Sequence, residues 1–80
     1  MKKILYVDDD PAILDSSKQI LELEGYEVDT ALTGEEALLK IENDFFHLAI
    51  FDIKLPDMEG TELLVKAHKL RPGMKKIMVT

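Results

Sequence analysis

The chain has 80 residues, 46% of them hydrophobic, no cysteine, and a formal charge of -6 from 16 acidic and 10 basic side chains. That length holds one small domain with a marginal core, and the missing cysteine excludes a disulfide scaffold, a thiolate zinc site and a cysteine nucleophile. The acidic balance has the wrong sign for neutralising nucleic-acid phosphates, no apolar run approaches the ~20 residues of a membrane span, and the four apolar residues after Met1-Lys2-Lys3 are too few for a signal peptide, so a cytoplasmic setting without direct nucleic-acid or membrane binding is expected.

Ile4-Leu5-Tyr6-Val7 is an unbroken apolar run ended by three acids, Asp8, Asp9 and Asp10, the pattern of a strand buried on both faces. Asp10 then precedes Pro11, an N-cap side chain before a proline at the first helical position. Ile13, Leu14, Ser17, Ile20 and Leu21 recur with helical spacing, and Gly25 stops the helix. Tyr26, Val28 and Thr30 alternate with Glu27 and Asp29, which predicts a second strand near an edge. Thr33 and Glu36 have capping-box spacing, followed by the apolar stripe Ala37, Leu38 and Ile41 of a short helix that Asn43-Asp44 breaks. Leu48-Ala49-Ile50-Phe51 is a third strand, again ended by an acid, Asp52. The turn-rich segment 54–60 leads to a helix marked by Leu63, Leu64, Ala67 and Leu70 and stopped at Pro72-Gly73, and Ile77-Met78-Val79-Thr80 reads as a fourth strand.

Strict alternation of strand and helix, with connections too long for hairpins, predicts an α/β fold: a doubly wound parallel sheet of about four strands and three helices. With the first helix on one face and the next two on the other, strands one and three become neighbours where the winding reverses. Ligands of open α/β sheets bind at that point, outside the carboxyl ends of the strands. Asp8, Asp9 and Asp52 all fall there.

Carboxylates converging from two adjacent strand ends form an oxygen-only donor set suited to a hard cation such as Mg2+, whose natural companion is phosphate. A carboxylate beside such an ion can act as a nucleophile toward a phosphoryl group. Asp52, alone behind its strand, is the candidate phosphoacceptor, and Asp8 and Asp9 form a pair suited to orienting the metal and its waters. Thr80 stands where a hydroxyl could reach the phosphoryl oxygens.

Taken together, Val7-Asp8-Asp9-Asp10-Pro11, Ala31-Leu32-Thr33-Gly34-Glu35-Glu36-Ala37-Leu38, Asp52-Ile53-Lys54-Leu55-Pro56-Asp57-Met58-Glu59-Gly60 and Met78-Val79-Thr80 resemble, in order, the landmarks of the receiver domains of two-component response regulators. The resemblance implies a flavodoxin-like sheet of order 2-1-3-4, part of the 2-1-3-4-5 order that a chemotaxis regulator of this kind exemplifies. It also implies phosphoryl transfer to Asp52 from a histidine kinase, a phosphotransfer protein or a small phosphodonor, an autocatalytic transfer with slow autodephosphorylation rather than enzymatic turnover. It makes Asp9, Asp52 and the backbone carbonyl of Lys54 direct Mg2+ ligands, gives Asp8 a water-mediated place beside them, and makes Thr80 the hydroxyl that follows the phosphoryl group. Members of the family continue with a helix, a fifth strand and a last helix. Residues 1–80 therefore read as a receiver domain truncated after its fourth strand, without the family's phosphoryl-contacting lysine, which impairs activity. Lys54 is a candidate for partial charge compensation.

Two rivals stand beside this reading. Asp8-x-Asp10 behind an apolar strand resembles the opening of haloacid dehalogenase-like phosphatases, although Pro11 fits that motif poorly. A structural or self-associating receiver fragment that takes no phosphate is the other. Asp10 reads as a helix cap, Asp57 as a turn residue, Glu59 as solvated, Met58 and Met78 as packing residues, and His47 and His68 as histidines without metal-ligand spacing. An open outer edge on an uncharged fourth strand is a template for pairing with another chain, and the uncovered sheet faces offer a second route, so self-association is expected. Light scattering of a dilute solution should give a mass above the 9.1 kDa of one chain; a monomeric mass would contradict it.

Overall fold

The computed structural model of the chain describes Met1–Val79. The elements alternate as expected: β1 (Lys3–Val7), α1 (Pro11–Leu23), β2 (Glu27–Ala31), α2 (Gly34–Asn43), β3 (Leu48–Asp52), α3 (Gly60–Leu70) and β4 (Lys75–Val79). The four strands form one parallel sheet of order β2-β1-β3-β4.

Local chemistry sets the element boundaries. Asp10 accepts the Ala12 N–H at 2.9 Å and caps α1, with Pro11 at its first position. Gly25 ends the same helix at φ 93°, a left-handed conformation that costs glycine nothing. Thr33 Oγ1 accepts the Glu36 N–H at 3.0 Å, and Glu36 Oε1 reaches back to the Leu32 N–H at 2.7 Å. The capping box is thus present, with Glu36 accepting from the N–H one residue upstream of the N-cap rather than from that of Thr33 itself.

Register decides which side chains share a face. Leu5 pairs with Ala49, and Val7 with Ala31 and Phe51. These five are buried together with Ala37 and Ile41 of α2 and Leu63 and Ala67 of α3. The alternate residues Ile4, Val28 and Leu48 share the opposite face, where α1 packs on β1 and β2. One helix on one side and two on the other is the doubly wound arrangement, and it makes β1 and β3 the central pair. Lys40 fastens α2 to β2, donating to Asp29 Oδ1 at 2.9 Å and Thr30 O at 2.6 Å.

One detail goes beyond the helical spacing and one boundary needs correction. Ile13 and Ile20 carry the helical period of α1, yet they are 43% and 62% exposed, while Leu14 is buried. Leu14, Ser17 and Leu21 lie on the stripe that faces β1 and β2; Ile13 and Ile20 lie about 100° around the helix from it and flank the contact. The fourth strand begins two residues earlier than its apolar run, at Lys75-Lys76. It lies at the sheet edge, so its opening is charged, a common guard on edge strands, although Ile77 remains 48% exposed. Met58 and Met78 pack against the core as expected.

Gly60 does more than end a turn. A Cβ there would lie 2.6 Å from Asp52 O and 2.9 Å from both Ile53 Cα and Ile53 O, all backbone atoms of the strand end that carries Asp52. The Gly60 N–H donates to Ile53 O at 2.7 Å. Gly60→Ala is therefore expected to destabilise the fold by about 2 kcal/mol, roughly 10 °C in Tm. Gly73→Ala, with no atom within 4 Å of the added carbon, should leave Tm nearly unchanged in the same thermal denaturation. Equal melting of the two variants would contradict this account of Gly60.

Candidate functional site

The site is built by the central strand pair. Val7 and Phe51 are register partners at the carboxyl ends of β1 and β3, so the residues that follow them, Asp8 and Asp52, emerge side by side. Asp9 adds a third acid from the β1 turn. One carboxylate oxygen from each of Asp8, Asp9 and Asp52 lies within 4.8 Å of the others. Asp8 is buried at 7% exposure, Asp52 is half-buried and Asp9 is exposed.

Asp8 is held from two directions. Its N–H donates to Ala31 O at 3.1 Å, tying it to the end of β2. Its Oδ1 accepts the Asp10 N–H at 3.0 Å. Burial pushes the Asp8 carboxyl above the usual aspartate range, and the charges of Asp52 and Asp9 push the same way, against the Asp10 hydrogen bond that favours the anion. Asp8 therefore keeps its proton to higher pH in the native state than in the unfolded chain. Without a cation, its contribution to stability falls as pH rises from the ordinary aspartate value through the raised native one.

Behind Asp52, the loop 53–59 folds back on itself. Leu55 N–H donates to Met58 O at 3.1 Å, Lys54 and Glu59 form an isolated antiparallel bridge, and Ile53 N–H donates to Val79 O at 3.1 Å. Lys54 is exposed. Thr80 lies outside the described residues.

Asp57 does more than the turn role expected of it. Its Oδ1 accepts the Gly34 N–H and its Oδ2 the Glu35 N–H, both at 2.9 Å, across 23 and 22 residues of sequence. The Gly34 N–H, then the Glu35 N–H, hold the Asp57 carboxyl below the usual aspartate range against partial desolvation. No local signal predicts this link, because Asp-Met-Glu-Gly looks the same in any turn.

His47 sits at the far end of the strands, its Nδ1 accepting the Lys3 N–H at 2.9 Å, and His68 is exposed near Lys76. Neither approaches the acids in the fold. An apolar groove of about 860 Å3, lined by residues such as Ile4, Tyr26, Phe45, His47 and Ile77, also lies at the amino-terminal ends of the strands, away from this chemistry.

The profile of the response regulator receiver domain family matches residues 4–80. The chain belongs to that family. This receiver domain is similar to a CheY-like response regulator receiver domain protein from Methanospirillum hungatei, at TM-score 0.98 and 79% identity over 100% of this chain and 64% of that one. Response regulator TrrA of Thermotoga maritima, solved in complex with Mg2+-BeF, matches at TM-score 0.93 and 44% identity over 98% of this chain and 68% of that one. TrrA solved in complex with histidine kinase ThkA matches at TM-score 0.94 over 100% of this chain and 69% of that one. Transcriptional regulatory protein GlrR of Escherichia coli is 38% identical over 77 residues, 96% of this chain and 17% of that protein. The receiver domain thus spans only part of the length of the proteins it resembles. Among the described residues no helix is long and apolar enough to cross a membrane.

Family membership sets aside the phosphatase-like alternative, and burial agrees with it. A nucleophile must meet its substrate, and Asp8 is buried where Asp52 is only half-buried.

Proposed function

We propose that this receiver domain takes a phosphoryl group on Asp52, with Mg2+ held beside it, from a phosphohistidine of a kinase or phosphotransfer protein or from a small phosphodonor. The observation that carries the reading is the meeting of three carboxylates within 4.8 Å at the carboxyl ends of two adjacent strands. Such a cluster is costly unless a positive charge offsets it, and an all-oxygen donor set suits a hard divalent ion. TrrA, solved with Mg2+-BeF and in complex with histidine kinase ThkA, supports the same reading.

Asp9, Asp52 and the backbone carbonyl of Lys54 are the proposed direct ligands, with Asp8 orienting a water. When bound, the ion neutralises charge that develops on the phosphoryl oxygens. Asp52 supplies the attacking oxygen. Its O–P bond forms as the P–N bond to the donor imidazole breaks, or the P–O bond to acetate in acetyl phosphate, and the leaving group departs with the electron pair. Asp8, buried and hydrogen-bonded to the Asp10 N–H, keeps the acid pair in place. The Lys54 ammonium, two residues beyond Asp52, supplies positive charge from the solvent side, and Thr80 supplies a hydroxyl to the transferred group.

Intact mass after incubation with Mg2+ and acetyl phosphate tests this. A labile phosphoryl adduct is expected on the unsubstituted chain and none on Asp52→Asn. Lys54→Ala should acquire it more slowly, by up to about tenfold for the loss of one exposed charge near the transferred group. An adduct on Asp52→Asn would overturn the assignment of the phosphoacceptor, and an unchanged rate in Lys54→Ala would remove that residue's part.

A further inference from the structure

Loop 53–59 is closed at its base by Gly60 and Leu55, but its tip is held by a different part of the molecule. Both oxygens of Asp57 are engaged by the first turn of α2, through Gly34 and Glu35. The opening amides of a helix have no partners within it. Asp57 takes two of them, Thr33 takes the Glu36 N–H, and a carboxylate at this end also meets the positive pole of the helix. Met58 completes the seat: at Gly34 a Cβ would lie 2.5 Å from its Sδ, so the start of α2 is shaped to receive residues 57 and 58 together.

That seat leads back to the acids. Three residues before Gly34, Ala31 accepts the Asp8 N–H. The path from Asp52 along the loop to Asp57, across to α2 and down to Ala31 therefore returns to Asp8, and β1 and β3 close it into a ring.

We propose that Asp57 is a positioning residue for the acidic site: by fastening the loop to α2 it fixes the backbone of residues 53 and 54 behind Asp52 and thereby sets the affinity for a divalent cation. The cation part rests on the function proposed above; the fastening does not. A supporting group that orients ligands without touching the metal typically changes affinity by 10- to 100-fold when removed, and a single loop clamp on an exposed site belongs at the lower end.

The test compares the unsubstituted chain with Asp57→Ala, Asp57→Asn and Asp52→Asn. Amide exchange without metal is expected to quicken at Gly34, Glu35 and across 53–59 in Asp57→Ala. Mg2+ titration by calorimetry should show affinity lowered about tenfold in that variant and by less in Asp57→Asn, which keeps one acceptor. The asparagine variant also serves if the alanine variant does not fold. Unchanged exchange at Gly34 and Glu35 overturns the fastening. Quickened exchange with unchanged Mg2+ affinity leaves Asp57 a merely structural clamp and overturns the positioning role. Mg2+ binding that survives Asp52→Asn, or is missing from the unsubstituted chain, overturns the functional reading instead.

Discussion

Three carboxylates share a space in which their charges repel one another, and the fold holds two of them, Asp8 and Asp52, side by side. Asp8 and Asp52 are fixed by the register of β1 against β3, and Asp8 is further pinned to Ala31 and to the Asp10 N–H. Relief comes from outside the strands: by protonation of Asp8, favoured first by its burial and then by the charges of Asp52 and Asp9, or by a cation. The phosphoacceptor role proposed for Asp52 would thus rest on backbone pairing of β1 with β3 rather than on flexible side chains.

The surroundings support that point while leaving Asp52 partly accessible. Gly60 allows α3 to begin against the backbone of Asp52 and Ile53. The core below, Leu5, Val7, Ala49 and Phe51 packed on α2 and α3, holds the two central strands at their common height. Ion pairs at the other end, Lys3 with Asp44 and Glu27, lie on the surface, where such pairs contribute little. Stability and the candidate site are thus separated along the strands: the apolar core supports the sheet, and the carboxyl ends of β1 and β3 carry the cluster of three acids.

Most of this was legible in the residues. Two apolar runs each ending in aspartate fix the strands and place the acids at their tips, and Asp10-Pro11 and Thr33-x-x-Glu36 mark helix starts through local hydrogen bonding that any sequence window contains. What the sequence hid was contact between distant segments. Asp57 and Gly34 are 23 residues apart, and neither residue type announces a partner. Gly60 reads as a turn glycine because its reason, a close approach to the backbone of Asp52, exists only once α3 docks. Ile13 and Ile20 keep the helical spacing yet stay exposed: periodicity gives a helix its apolar side, but the width of the surface it meets decides how much of that side is covered.

The central claim is that charge repulsion among residues 8, 9 and 52 is a cost a divalent cation removes. Thermal unfolding of the unsubstituted chain and of Asp8→Asn at pH 7, each with and without Mg2+, tests it most directly. Without metal the variant should melt higher, by about 4–8 °C for a relief of about 1 kcal/mol, and Mg2+ should raise the melting temperature of the unsubstituted chain more than that of the variant. Equal melting without metal together with an equal response to Mg2+ would contradict the account.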